Sequence, residues 1–188
     1  MEDLGLNSRT GLPQELRVLA DLYPRDLWRG HANFSGMTAF WLDRHSMFRE
    51  LSAKLVEQAQ VQHDTPNARF IPEMSRYASF LLNQLHTHHS VEDRHYFPRL
   101  QVLDSRIEHA FELLDADHHA LDGQLQALAN AANHAIRSEA DKDAVAALLQ
   151  AEDRLQRFLD RHLADEEDVV CRLSWNTRIW NNRETHPG

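Results

Sequence analysis

Six side chains of types that bind transition metals interrupt helical stripes that are otherwise apolar. They are four histidines and two glutamates: His45, His88, Glu92, His118, His162 and Glu166. Two carboxylates can bridge two cations, and four neutral imidazoles can then act as terminal ligands, two on each metal. The set predicts a dinuclear metal site whose open coordination positions accept a small exogenous ligand.

The spacing of these residues places them on the inner faces of helices. His88 and Glu92 are four residues apart, as are His162 and Glu166, and on a helix this spacing stacks two side chains about 6 Å apart along the axis. The apolar stripe through Leu81 and Leu85 leads by helical steps to Glu92, so we expect Glu92 and His88 to project inward. A buried, unpaired charge is costly, and a metal ion is the partner that this pair requires.

Each residue taken alone has a simpler interpretation. A lone inward histidine such as His118 is more often a hydrogen-bonded core residue, and a single His-x-x-x-Glu is usually an exposed pair. Six polar residues in four separate stripes, however, would build a poor core without metal, which favours the metal site. Four neighbours of the set are expected to be solvated or to contact the ligands from outside: His89, Asp93, His119 and Glu167. His95, one turn beyond Glu92, is an additional candidate ligand or proton donor.

Four long amphipathic segments position these residues. The first helix is predicted from Ser35–Gly36 to about Gln60, and the second from Pro72 at its first turn to Phe97, stopped by Pro98. The third begins just after Asp104–Ser105, either of which can cap it, and the fourth is capped by Ser138.

The fold class follows from these segments. Short connections between four helices predict an all-α, up-down-up-down four-helix bundle over residues 36–174. Residues 1–35 are interpreted as a short N-terminal extension that includes His31, and residues 175–188 as a C-terminal tail.

Composition excludes several classes of protein. The chain has 188 residues and a formal net charge of -9, with no Lys/Arg cluster of the kind that binds nucleic acid. The single cysteine, Cys171, rules out an internal disulfide framework and suits a reducing compartment. Since we find neither a signal peptide nor an apolar run of about 18 residues, we expect a cytoplasmic protein that does not span a membrane. The sequence does not indicate an oligomeric state.

The ligand pattern resembles the hemerythrin-like, HHE cation-binding family over about residues 36–174. The phrases HHSVEDRHYFP and DHHALD are similar to that family's second- and third-helix histidine segments. The resemblance implies two iron ions in a non-haem di-iron centre with carboxylate and oxo or hydroxo bridges. Oxygen-carrying hemerythrins have a fifth histidine, whereas this chain is similar to the branch with four histidines and two glutamates. That branch includes bacterial iron-centre repair proteins.

Three functions are open at this point. The first is binding of, or reaction with, a diatomic ligand or peroxide, for sensing, storage or detoxification of oxygen, nitric oxide or peroxide. The second is a di-iron enzyme that acts on an organic substrate or repairs damaged iron centres. An access channel wider than a diatomic, lined by Trp41 and the loop of His31, would favour this second function. The third is a metal-free helical interaction module.

Overall fold

The computed structural model describes residues 5–6, 8–30, 34 and 36–173, and every regular element in these ranges is helical. The short helix α1 spans Val18–Leu22, and α4 is a single turn at Phe97–Leu100. The four long helices are α2 (Gly36–Asp64), α3 (Phe70–Val91), α5 (Glu108–Arg137) and α6 (Lys142–Glu166). None of the helices in the described ranges is long and apolar enough to cross a bilayer. His31, Ser35 and the predicted tail at 175–188 lie outside the described residues.

The four long helices enclose a common interior. Helix α2 packs against α3 and α6, and α5 packs against the same two helices, so that the four contacts close a ring. The interior holds two apolar clusters, one of which includes Leu121 and the other Leu114. Along α5, His118 lies between these two leucines, so the polar site separates the clusters. The prediction of an all-α protein with four long helices is confirmed.

Pro98 does not stop the second long helix as the sequence predicted. Helix α3 passes into a π-helical turn at Glu92–Tyr96 and resumes as α4 through Pro98. At the end of this turn the backbone N–H of Phe97 bonds to the carbonyl of Glu92, five residues back. Pro98 therefore stands in the first turn of a new α-helical segment, where its missing N–H is tolerated.

Two other helix ends differ from prediction. Helix α6 is capped by Asp141, whose side chain accepts hydrogen bonds from two backbone N–H groups, whereas Ser138 ends α5. Glu139 and Ala140 have positive φ, so the chain reverses between the two helices before the cap. Helix α3 begins at Phe70, and Pro72 still falls in its first turn. The side chain of Asp104 caps the turn that precedes α5.

Glu152 is a buried carboxylate on α6, and we expect it to make stability depend on pH. Its side chain is 2% exposed, and neither oxygen has a hydrogen-bond partner among the described residues. Burial raises the pKa of Glu152 from 4.5 to about 8. The folded state therefore binds the proton more tightly than the unfolded state, and stability falls as pH rises from about 4.5 to about 8.

We expect Glu152→Gln to remove this dependence. Near pH 5 the variant and wild type should be similarly stable, and near pH 8 the variant should be more stable by a few kcal/mol, since one pKa unit corresponds to about 1.4 kcal/mol. Urea unfolding at both pH values measures the difference, with Glu57→Gln on the exposed face of α2 as the control. Equal stability changes at the two pH values would contradict the prediction.

Candidate metal centre

The structure brings all six predicted side chains together and adds a seventh. Two neighbouring groups could each hold a metal ion: His45, His88, Glu92 and Glu166 in the first, and His89, His118 and His162 in the second. Within each group the candidate ligand atoms lie within 4.8 Å of one another. Each of the four long helices contributes at least one residue, and that these residues bind metal stays a prediction.

Glu92 connects the two groups. Its Oε1 lies 2.9 Å from Nε2 of His88 in the first group, and its Oε2 lies 3.6 Å from Nε2 of His118 in the second. The carboxylate thus presents one oxygen to each side. A carboxylate in this position can bridge two cations and hold them at a fixed separation.

Glu166 also spans the two groups. Its Oε2 lies 3.4 Å from Nε2 of His45 and 3.6 Å from Nε2 of His162. Its other oxygen accepts a hydrogen bond of 2.5 Å from the indole N–H of Trp41. The side chain is therefore held from one side while Oε2 faces the histidines.

Carboxylates outside the site orient two of the rings. Nδ1 of His118 lies 2.7 Å from Asp93, and Nδ1 of His45 lies 3.0 Å from Glu167. An ionised carboxylate only accepts hydrogen bonds, so Nδ1 must carry the proton and Nε2 presents its lone pair to the interior. The contacts of Asp93 and Glu167 with the outer side of the rings match the sequence-based expectation for these two residues.

Imidazole nitrogens meet closely in both groups. The Nε2 atoms of His45 and His88 are 3.2 Å apart, and so are those of His118 and His162. Because Nε2 of His45 and of His118 are acceptors, each pair is joined either by a proton on the partner ring or by a cation between the two nitrogens. These distances are compatible with a metal ion bound by both imidazoles of a pair.

The pKa values of the buried carboxyl and imidazole groups fit the same interpretation. Burial raises the pKa of Glu92 well above its usual range, and burial together with Glu92 raises the pKa of Glu166 to about 8. Burial lowers the pKa of His88 to about 4 and lowers those of His89 and His162 well below their usual range. Both oxygens of Glu92 and Oε2 of Glu166 lack hydrogen-bond donors within the described part of the chain. Orphaned acceptors that face neutral imidazoles are the donor set that a divalent transition metal satisfies.

His89 lies in the interior, so its interpretation as a solvated neighbour is wrong, and whether it binds metal or only contacts the ligands stays a prediction. The side chain is 4% exposed, stacks on the ring of His118 at 4.2 Å, and belongs to the second group. Neither ring nitrogen has a hydrogen-bond partner among the residues described. The signal was present in the sequence, because His89 follows Leu85 by four residues and precedes Glu92 by three. Both of these steps keep it on the inner face of α3.

Two other histidines lie outside the site. His119 is exposed, and its ring contacts the backbone carbonyl of Asp115, as expected for a solvated residue. His95 is also exposed and belongs to neither group, so the expectation that it approaches the site is wrong. The π-helical turn begins at Glu92 and changes the angle between successive residues, which turns His95 away from the interior.

The two His-x-x-x-Glu pairs share a local backbone feature that sequence reasoning missed. Each glutamate stands at the junction between an α-helix and a π-helical turn, at Glu92–Tyr96 and at Glu167–Cys171. Such turns occur often at functional sites. Glu167 is the first residue of the second turn; burial raises its pKa, but His45 and Arg49 lower it to a net value of about 2. Uniform helical periodicity would leave Glu167 outside.

A pocket of about 150 Å³ connects the first group with the surface. Its lining includes Phe40, Trp41 and Arg44 of α2, together with His88, Glu92 and Tyr96. Trp41 was expected at such a channel, and the His31 loop lies outside the described residues. The pocket gives a small molecule a route to the ligands His88 and Glu92.

Comparison with known proteins gives one match. Residues 36–173 match the family model described as the hemerythrin HHE cation binding domain, which covers most of the chain. No curated protein and no solved structure matches significantly.

Proposed function

Since the chain belongs to the hemerythrin HHE cation-binding family, we propose that it is a non-haem di-iron protein that binds or reacts with oxygen, nitric oxide or peroxide. The observation that carries the proposal is the pair of carboxylates, Glu92 and Glu166, each of which faces a histidine of both groups. In this proposal His45 and His88 hold one ion, and His118, His162 and His89 hold the other.

His89 supports reaction with small molecules over the repair function. With it the candidate centre contains five imidazoles, the number that distinguishes the oxygen-carrying hemerythrins from the branch with four. Two bound iron ions would supply reversible one- and two-electron chemistry toward a diatomic ligand or peroxide. The protein supplies the ring orientation through Asp93 and Glu167, and the N–H of Trp41 limits the movement of Glu166.

The predicted direction of the helices is part of the same proposal. His45 and His118 stand nearer the first residue of their helices, whereas His88 and His162 stand near the last. Four helices that alternate in direction bring such positions to one level. We therefore infer the up-down-up-down bundle, and the ring of helix contacts supports it.

The test is metal analysis of the full chain together with its absorption spectrum. We expect two iron ions per chain, and a visible charge-transfer band that changes on exposure of the reduced protein to oxygen, nitric oxide or peroxide. Zinc or manganese is a possible occupant, because the ligand types do not determine metal identity in the cell. Protein that contains no metal and cannot be reconstituted with iron would refute the proposal.

A di-iron enzyme for an organic substrate is the second candidate, and the volume of the pocket favours it. A cavity of about 150 Å³ is large enough for a molecule the size of benzene. Peroxide consumption by the reduced protein in the presence of small aromatic compounds separates the two functions. Consumption that requires the organic compound would favour the enzyme, and consumption without it would favour the detoxifying protein.

We expect His89→Ala to weaken metal binding in the second group. If His89 is a ligand, the variant should bind one iron tightly and lose the second during dialysis. His95→Ala is the matched control, because His95 is exposed, and it should keep two. Iron counts by elemental analysis measure both, and two tightly bound ions in His89→Ala would reduce His89 to a buried neighbour.

A further inference from the structure

An arginine of the N-terminal segment reaches the carboxylates behind the second group. Arg9 donates hydrogen bonds to both carboxylate oxygens of Asp117 and, through Nε, to Asp165 at 3.0 Å. The Arg9 side chain is 4% exposed, and both aspartates are buried. An arginine from the edge of the fold is thus almost fully desolvated against two acids of α5 and α6.

A second arginine of the extension makes the equivalent contact behind the first group. Nη1 of Arg25 donates to Oε2 of Glu167 at 2.5 Å, and its Nη2 donates to the backbone carbonyl of Ala164 at 2.8 Å. Arg25 also pairs with Asp168. Both arginines precede residue 36, where the match to the family model begins.

Asp117, the partner of Arg9, and Glu167, the partner of Arg25, each face the outer nitrogen of a candidate metal ligand. Oε1 of Glu167 lies within hydrogen-bond distance of Nδ1 of His45, at 3.0 Å. Oδ2 of Asp117 lies 3.5 Å from Nδ1 of His162, a longer contact, and this nitrogen has no hydrogen-bond partner among the described residues. Two chains of contacts therefore run from the extension inward, each from an arginine through a carboxylate to an imidazole. One chain ends in each metal-binding group.

A carboxylate behind a metal-ligating histidine fixes the orientation of the ring and makes it a stronger ligand. The planar fork of Arg9 holds both oxygens of Asp117 at once, whereas Arg25 donates to one oxygen of Glu167. We propose that Arg9 and Arg25 are positioning residues of the metal centre, so that the N-terminal extension completes the site. This inference rests on the metal binding proposed above.

The two arginines should differ in their effect. Glu167 is also held by Arg49 of α2, whose Nη1 lies 2.7 Å from Oε1. The hydrogen bonds that the described structure gives to Asp117 come from Arg9. Loss of Arg9 therefore releases its carboxylate more completely than loss of Arg25 does.

The experiment measures iron affinity by competition with a chelator in the full chain. We expect Arg9→Gln to lower the affinity about 10–100-fold, the range seen when groups behind metal ligands are changed, and Arg25→Gln to lower it less. Arg17→Gln is the matched control in the same extension, because Arg17 is exposed and its ion pair with Asp21 is long, at 4.0 Å. It should bind iron like wild type.

A double-mutant cycle separates positioning from simple docking of the extension. If Arg9 acts through Asp117, Arg9→Gln and Asp117→Asn should each weaken iron binding, and the double variant should be no weaker than the worse single variant. Nitrogen NMR of the metal-free protein adds a readout that needs no iron, since the chemical shifts of the His162 ring nitrogens should change in the same way in both variants.

The outcomes distinguish this inference from the proposed function. Wild-type protein without metal would refute the proposed function and the inference with it. If folded Arg9→Gln binds iron as tightly as wild type, or if the losses in the cycle are strictly additive, the inference is overturned and the proposed function stands. If Arg9→Gln does not fold, Arg25→Gln with Glu167→Gln forms the same cycle on the other chain of contacts, and additivity there overturns the inference as well.

Discussion

Replacement of Glu92 and Glu166 together by alanine is expected to remove both metal ions and the visible absorption band. Each carboxylate faces a histidine of both groups, so in the double variant no anionic side chain of the site connects the two ions or offsets their charge. The imidazoles that remain are neutral ligands, and two dications a few ångströms apart repel each other strongly in a buried site. The expected iron content after dialysis is near zero.

Folding of this variant is expected to persist, because it removes one buried acid, Glu92, that lacks donors among the described residues and, at Glu166, one hydrogen bond from Trp41. Both glutamate side chains are at most 1% exposed, and burial disfavours their charged forms. Glu92→Gln with Glu166→Gln is a second version that keeps the side-chain volume. Circular dichroism checks the fold of both versions, and elemental analysis measures the metal.

The control for the double variant is Glu50→Ala with Glu57→Ala. These two residues lie on the exposed face of α2, and their replacement changes the net charge by the same amount. The control should bind two ions. A full complement of metal in the Glu92/Glu166 variant would refute the bridging role and leave the histidines as the whole site.

The inner faces of the helices could be predicted from the sequence because apolar periodicity is a local property. His45, His118 and His162 interrupt stripes of leucine and phenylalanine, and all three are buried. The resemblance to the hemerythrin-like family is confirmed by the family match. His89 was predicted to lie outside the core because its neighbour His88 already occupied the inward position of the apolar stripe.

The rest of the site depends on π-helical turns and on tertiary contacts, which helical periodicity does not predict. The π-helical turn that begins at Glu92 changes the helical phase by a fraction of a turn, which exposes His95. Glu167 is buried where Arg25 and Arg49 contact it, and these are tertiary contacts. The contact of Arg9 with Asp117 joins residues 108 positions apart. Such a pairing follows from tertiary packing of the extension, which local periodicity does not predict.

Removal of metal by a chelator is expected to lower the stability of the fold considerably. Without metal, the interior holds Glu92 and His89 with no hydrogen-bond partners for their side chains in the described part of the chain, and each unsatisfied buried group costs about 1–3 kcal/mol. A ligand that binds only the native state stabilises it by mass action, by about 4 kcal/mol at 1,000 times Kd. For a domain of this size that corresponds to roughly 8–16 °C in Tm.

The measurement is thermal unfolding of the iron-loaded protein before and after chelation, with iron loss verified by elemental analysis. The Glu92→Ala/Glu166→Ala variant is the control, since it should melt at the same temperature with and without the chelator. An unchanged Tm of wild type after verified loss of iron would show that the bundle is stable with its histidines and glutamates unsatisfied, which contradicts the prediction.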